Sequence, residues 1–484
     1  MTAPNAANNK GLVGNEKSPL GFSFTHGDEL KRLIAAIVGA GGKPVAVGGC
    51  VRDGLLGIPA KDVDIEVYGL GAEALEHALS TIGKVYGVGK SFAVLKVTVD
   101  STTFDVSLPR TESKTGHGHR AFEVEANPNL TFEQAALRRD FTINAMGIDL
   151  VTGALLDPHG GQKDLAVHTL RHVSPQFAED PLRVYRAAQF AARFGLALAP
   201  ETVELCRSLR DELATLPRER IYDEMQKLLL GAKPSLGLTA LLETEALSHF
   251  PELAGLIGCA QDPQWHPEGD VWTHTLMVTD EAVGIVRRDG LLDHTGDRHE
   301  ALVTMFGSLC HDLGKPTTTH IEDGRIRSKN HEAEGEKPTR DFMRAIGAPQ
   351  ALIDDVVPLV VDHLKPAQLY KVRDTVSDAA IRRLSARVNI ERLCRVAEAD
   401  FLGRTTEDAL KGFDPSVAWL KAQAERLKVV SSSPEPLLLG RHLIEHGLKP
   451  SPQFKAILDK AYEAQLDGLF NDLDGAMAWL KKSA

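Results

Sequence analysis

One stretch constrains this chain more than any other: Val45 to Val67, reading V-A-V-G-G-C-V-R-D-G-L-L-G-I-P-A-K-D-V-D-I-E-V. A short apolar run meets the pair Gly48-Gly49, and an amphipathic segment with Arg52 and Asp53 follows. After a Gly-Ile-Pro turn, apolar and acidic residues alternate from Asp62 to Val67. Side chains alternate across a strand with period two, so Asp62, Asp64 and Glu66 share one face and Val63, Ile65 and Val67 the other. Two carboxylates about 7 Å apart along a strand can grip divalent cations. A Gly-Gly turn lets backbone amides approach a phosphate, and a helix N-terminus adds its dipole. A lone Asp-x-Asp is ordinarily a solvated strand face, and a lone Gly-Gly says less still. The ordered set says more: phosphate cradle, cationic side chain and metal-binding carboxylates are the parts of a nucleotidyl-transfer site.

Length and composition leave room for such an enzyme. The chain has 484 residues, enough for three or four domains. Its five cysteines (Cys50, Cys206, Cys259, Cys310, Cys394) are scattered without a C-x-x-C pair, which argues against a disulfide framework or a thiolate zinc site. No stretch is apolar enough to span a membrane and the start lacks a signal-peptide pattern, so a cytoplasmic location is expected. The net charge of −11 opposes non-specific RNA binding, so any nucleic-acid contact needs locally clustered Lys and Arg.

Along the chain, residues 1–27 read as a flexible tail, and 28–40 as an amphipathic helix leading into the first strand. Residues 72–82 read as a helix, and 93–99 and 103–108 as a hairpin turning at Asp100-Ser101. Asp105, on the second hairpin strand, would add a third carboxylate to Asp62 and Asp64. Residues 112–128 read as an unpatterned loop beside the site. Residues 149–172 read as a strand, a turn and a returning strand that closes the sheet. From Ser174 the texture becomes helical, with helices expected over 184–194, 201–213, 219–230 and 236–247.

Three motifs carry a resemblance. G-G-x-V-R-D followed by D-x-D, then Leu137-Arg138-Arg139-Asp140-Phe141-Thr142-Ile143-Asn144-Ala145, then Glu179-Asp180-Pro181-Leu182-Arg183, resemble in order the head and neck of the polymerase β nucleotidyltransferase superfamily. The nearest resemblance is to class II tRNA nucleotidyltransferases (CCA-adding enzymes) and the related bacterial poly(A) polymerases. It implies that Asp62 and Asp64 hold Mg²⁺, with Asp105 as third catalytic carboxylate. It places Gly48, Gly49, Arg52, Arg139 and Asp140 at the nucleotide, with Asn144 in support. Asp180 and Arg183 would read the base edge, since Asp offers acceptors and Arg a fork of donors. Taken singly, Asp180 reads first as a helix cap with Arg183 as its partner, and only the motifs already in place favour the base-reading role. Arg186 would reach the triphosphate; Gln189, also at the nucleotide, departs from the many relatives that carry a second Arg there, so the phosphate grip is weaker or supplied elsewhere. The loop at 112–128 falls where the family holds a segment associated with the change from C to A addition.

A second constellation follows: Trp265-His266-Pro267-Glu268, then His274, His311-Asp312-Leu313-Gly314-Lys315, His331, His363 and Asp400 to Arg404. Mixed imidazole and carboxylate ligands without thiolate suit Ni, Mn, Co, Fe or Mg. The set resembles the HD phosphohydrolase superfamily, with His274, His311, Asp312 and Asp400 in the places of its four ligands. His331 and His363 fall where binuclear members hold a second metal. In CCA-adding enzymes with this domain, the resemblance implies phosphatase and 2′,3′-cyclic phosphodiesterase activity on tRNA 3′ ends.

The expected architecture is an α/β nucleotidyltransferase head (28–172), a helical neck and body (173–258), an α-helical HD domain (259–410) and a C-terminal helical unit that holds tRNA (411–484). The expected partners are tRNA, CTP and ATP, with no membrane; monomer and homodimer both stay open. Poly(A) polymerase, an enzyme adding only CC or only A, and a phosphohydrolase with an RNA-binding head remain as alternatives. A basic stripe with Lys371, Arg373, Arg382, Arg383 and Arg387 would either contact phosphates or form an ordinary solvated face.

Overall fold

The computed structural model describes residues 27–59, 62–88, 94–114 and 122–483. The expected N-terminal tail and the tip of the 112–128 loop therefore lie outside the described residues. The chain forms two compact units. The first runs to Ala191 and adds Gly195–Pro217 and Ala240–Ala246; the second holds Ala192–Phe194, Arg218–Thr239 and the chain from Leu247. The division falls inside the 173–258 stretch rather than at either of its ends.

Nine strands of the first unit follow in order: β1 (Lys43–Val47), β2 (Asp64–Tyr68), β3 (Lys84–Val88), β4 (Val94–Val99), β5 (Thr102–Ser107), β6 (Arg110–Lys114), β7 (Phe122–Ala126), β8 (Gly147–Asp149) and β9 (Leu155–Leu156). Seven make one sheet in the order β3-β4-β5-β2-β1-β8-β9. Every pairing in it is antiparallel except β2 with β5. The helix Gly27–Gly39 buries Leu30, Leu33, Ile34 and Ile37, the i, i+3, i+4, i+7 stripe of an amphipathic helix. It packs against β1 and against the helix Ala72–Ser80.

Two local readings need correction, and two features carried no assignment from the sequence. The flanks of the 112–128 segment are not irregular: β6 and β7 pair antiparallel from Arg110↔Ala126 to Lys114↔Phe122. Alternating polar and apolar residues at 122–126 carry that pattern. The return expected near residue 170 does not close the sheet, because Thr169–Leu170 pairs in parallel with Ala197–Leu198 instead. The R-R-D run is not helical. The helix Phe132–Ala136, with a capping box between Thr131 and Gln134, ends before it, and Thr142–Asn144 forms a single 3-10 turn. Glu66, on the acidic face of β2, is buried.

The second unit is helical. The helix Arg298–Cys310 is buried along its whole length from Ala301 and packs against Val271–Arg288, Gln350–Asp362 and Ile390–Leu402. The helix Pro415–Leu427 packs on Lys365–Lys371, Asp378–Arg387 and Ile390–Leu402, so the chain just past residue 411 belongs with the HD helices. A separate small core forms around Leu438, Leu443, Ala461, Phe470 and Leu480. The basic stripe is largely spent within the fold. Arg383 binds Glu463 and Asp467, Arg382 binds the Leu466 carbonyl, and Arg387 binds Asp362.

Gly314 of the H-D-L-G-K run has no room for a side chain: a Cβ there would lie 2.0 Å from the His331 carbonyl oxygen and 2.6 Å from the Gly335 nitrogen. Gly314→Ala is expected to destabilise the second unit by about 1–3 kcal/mol, as overpacking does. All four tryptophans (Trp265, Trp272, Trp419, Trp479) lie in that unit. Denaturant unfolding followed by their fluorescence will show the lowered midpoint.

Candidate active sites

The parallel pairing of β2 with β5 sets Asp64 directly beside Asp105. Asp62 precedes β2 by two residues and is exposed. Burial, then Asp105, and more weakly Asp62, push the Asp64 carboxyl above its ordinary range, against the pull of Arg139. Lys96, opposite Asp105 on β4, is 3.2 Å from its Oδ1. Carboxylates crowded until one resists ionisation fit a divalent cation, which relieves the repulsion.

Gly48 has φ 77° and ψ −130°, a conformation essentially closed to residues with a Cβ. A Cβ there would also sit 3.1 Å from Arg139 Nη1. The helix Gly49–Leu55 then carries Arg52, which is buried rather than extended into solvent. Arg52 donates to Asp53 Oδ1 from Nε and Nη2 at 2.8 and 2.6 Å, and from Nη1 to Asn144 Oδ1. Asn144 donates to Asp140 at 2.9 Å, and Asp140 takes Arg186 at 2.9 and 2.5 Å and the Phe141 amide at 2.8 Å. Burial works to raise Asp140, but Arg186 and then Asn144 hold it below the usual carboxylate range. Arg52 and Arg186 both lie over the Phe190 ring.

Glu66 is the residue that sequence reasoning left without a role. It accepts from Tyr68 at 2.5 Å and from Arg138 at 2.8 Å, with Arg139 Nη2 3.8 Å away. An acid on a strand bracketed by apolar neighbours, with paired arginines elsewhere, was the available signal. Asp180 Oδ1 caps the helix Leu182–Phe194 through the Leu182 amide. Arg183 donates to the carbonyls of Gln176 and Arg138 at 2.8 and 2.7 Å. Gln189 is buried on the same helix, and its amide nitrogen has no hydrogen-bond partner.

The second site is tighter. His274, His311, Asp312, His331, His363 and Asp400 are all buried. The Nδ1 atoms of His311, His331 and His363 face the carbonyls of Ser308, Ser328 and Val360 at 2.7–2.8 Å. A carbonyl only accepts, so each Nδ1 carries a proton and each ring turns its Nε2 inward. Those nitrogens approach one another: His311 to His274 at 3.4 Å, and His331 to His363 at 3.4 Å. Asp400 Oδ1 is 3.1 Å from His274 Nε2, and Asp312 lies 3.2 Å from His311 and 3.3 Å from His331. Two groups of converging ligand atoms result, His274-His311-Asp400 and Asp312-His331-His363.

Around them, Arg404 forks onto Asp400, Lys315 Nζ stands 2.7 Å from Asp312, and Glu268 lies 2.9 Å from both His266 and His274. Burial works to raise both acids, yet Arg404 holds Asp400, and His311 with Lys315 holds Asp312, well below the usual range. Burial, with His311 and His331 nearby, presses His363 down to about 3, so it is neutral. Neither Asp312 oxygen has an aligned hydrogen-bond donor. Buried carboxylate oxygens facing converging imidazole nitrogens fit a divalent metal. No comparably tight cluster of three ligand groups occurs in the first unit among the described residues.

Family models match in the same order: a poly A polymerase head domain over residues 45–171, a probable RNA and SrmB-binding site of polymerase A over 195–256, and an HD domain over 271–404. The multifunctional CCA protein of Xanthomonas campestris is 38% identical over 388 residues, covering 78% of this chain and 90% of the relative. That of Xylella fastidiosa is 38% identical over 371 residues, covering 75% and 84%. The chain belongs to the multifunctional CCA protein family.

The fold agrees. The Bacillus stearothermophilus CCA-adding enzyme in complex with CTP superposes with a TM-score of 0.63 at 24% identity, covering 94% of this chain and 96% of that one. The Thermotoga maritima CCA-adding enzyme complexed with tRNA gives 0.56 at 21% identity, covering 94% of each. As a member of the multifunctional CCA family, the chain is an enzyme of the nucleotidyltransferase class that also carries an HD domain. The motifs had pointed to that family, and no described helix is long and apolar enough to cross a membrane.

The raised Asp64 gives a signed expectation. A carboxyl whose pKa is higher in the folded than the unfolded state binds protons more tightly when folded, so its ionisation at neutral pH opposes folding. Asp64→Asn should therefore raise the unfolding midpoint of the metal-free head at pH 7 to 8 while removing nucleotide incorporation. The stability gain should shrink as the pH falls through the titration of wild-type Asp64. Calorimetric scans across that range provide the check.

Proposed function

We propose that this enzyme adds C, C and A to tRNA 3′ ends from CTP and ATP, and that its HD site hydrolyses phosphoesters at such ends. The observation that carries the first activity is the Asp64–Asp105 register, with Asp62 two residues before it. Asp62 and Asp64 would hold Mg²⁺, with Asp105 as the third carboxylate. When bound, the metal would lower the pKa of the attacking 3′-hydroxyl and neutralise charge on the leaving pyrophosphate.

The chain's own residues position the nucleotide. Gly48 and Gly49 bring backbone amides to its phosphates. The Arg52–Asn144–Asp140–Arg186 network holds Arg186 in place, and Glu66 binds Arg138 and attracts Arg139, which stands beside Gly48. Asp180 and Arg183 start the neighbouring helix and would select C or A. To do so, Arg183 must turn some of its donors from the carbonyls they now serve towards the base. Gln189, buried and short of a partner, supplies no cation to the triphosphate, which leaves that task to Arg186.

In the second unit, His274, His311, Asp312 and Asp400 would hold Ni, Mn, Co, Fe or Mg, and His331 with His363 a second ion. The group would supply an activated water. Lys315, buried, and Arg404, half-buried, stand beside the ligand carboxylates and would meet the phosphoryl oxygens.

A tRNA transcript ending at the discriminator base should grow by two residues with CTP and Mg²⁺, and by three with CTP and ATP. Asp64→Ala should abolish growth yet leave hydrolysis of 2′,3′-cyclic AMP intact, whereas Asp312→Ala should do the reverse. Long A tails on any RNA would make the enzyme a poly(A) polymerase. A stop after two residues, or extension only of ends already carrying CC, would make it half of a split pair.

A further inference from the structure

The HD ligands open into a cavity of about 600 Å³. Small-molecule sites span roughly 300–1,000 Å³, so this one has room for much more than a phosphoryl group. Its buried end presents Lys315 and Arg404 next to the ligand carboxylates, and part of its wall is apolar, with Leu364 and Phe401. Trp265 also lines it, with 55% of its surface exposed, whereas Trp272, one helical stretch further on, is 6% exposed.

An indole left in water beside a cationic site is a ready stacking surface, and its backbone is fixed. The Trp265 and His266 amides both donate to the Asp262 carbonyl at 3.0 Å, and the Gln264 amide donates to Asp262 Oδ1 at 3.0 Å. The Gln264 side chain accepts from Arg325 at 2.6 Å. The next ring along, His266, packs 4.6 Å from that of His274, so the segment is tied to the ligand cluster. The apolar wall and the indole lie on the same cavity as the two cations. That is the layout for a group with a flat apolar face joined to a phosphate.

We propose that Trp265 is the stacking platform for the base of the nucleotide whose phosphoester the HD site hydrolyses. Stacking reads the π-face rather than the base edges, so the site accepts any base and rejects substrates without one. The proposal rests on the reading of this unit as a phosphoesterase, and the two can fail separately.

The metal-loaded full chain is assayed with adenosine 2′,3′-cyclic phosphate and with glycerol 1,2-cyclic phosphate, which has the ester ring but no base. Wild type should favour the nucleotide through KM. Trp265→Ala should raise the ratio of the nucleotide KM to the glycerol KM by about 5- to 100-fold, and Trp265→Phe should restore much of the preference. An unchanged ratio, or an equal fall on both substrates, overturns the proposal. If wild type hydrolyses neither substrate, the phosphoesterase reading fails, and binding still tests the platform. AMP should quench the protein fluorescence, and Trp265→Phe should remove that quench. The head has no tryptophan, so a nucleotide bound there would not mimic the signal. Quenching that persists in Trp265→Phe, or is absent from wild type, overturns it as well.

Discussion

Like charges held close together are the constraint on which this molecule depends. In the first unit, the one parallel pairing of the sheet sets two carboxylates side by side at Asp64 and Asp105. Nothing in strand pairing rewards that arrangement, and the raised Asp64 carboxyl is its signature. The surrounding fold is built to bear it. Gly48 keeps a backbone conformation that admits Arg139 closely, and Arg139 is steadied in turn by buried Glu66. Asp140 and Asn144 join Arg52 to Arg186. A charge-paired floor of this kind is rigid because each member left alone would be a buried uncompensated group.

The second unit meets the same constraint by a different route. Its ligand atoms sit among fully buried helices, and the side chains around them set the protonation states. Carbonyls three residues earlier accept from Nδ1 of His311, His331 and His363, which turns their Nε2 atoms inward, two of them at 3.4 Å from a neighbouring imidazole. His311 with Lys315, and Arg404, keep Asp312 and Asp400 ionised in a setting that would otherwise protonate them. The cost of burying so many polar groups is offset by the packing of Arg298–Cys310 against the helices that surround it. Close approaches such as that of Gly314 to the His331 carbonyl leave little slack in the ligand positions.

Much of this was legible in the residues. The strand from Asp64 (though not Asp62, which precedes it), the Gly-Gly turn, the helix after Pro181 and the hairpin carrying Asp105 follow from period-two alternation, turn chemistry and capping, all of which act over a few residues. What escaped were features decided at a distance. The 112–128 flanks pair with each other, the strand near 170 finds a partner at 197–198, and Glu66 turns from a strand-face acid into the anchor of two arginines. Arg383, open to reading as a phosphate contact or as part of a solvated face, clamps one helix of its own chain to another.

The sequence by itself determined which chemical groups are present and how they alternate along each element. Local sterics and hydrogen bonding settle that much, and the order of the motifs was enough to indicate the family. Only the tertiary structure decided that Asp64 faces Asp105, that Arg52 is buried against Asn144, and that imidazoles 89 positions apart along the chain, at His274 and His363, belong to one cluster. Those are pairings between distant segments. Their geometry comes from sheet register and helix packing, which no local pattern of residues records.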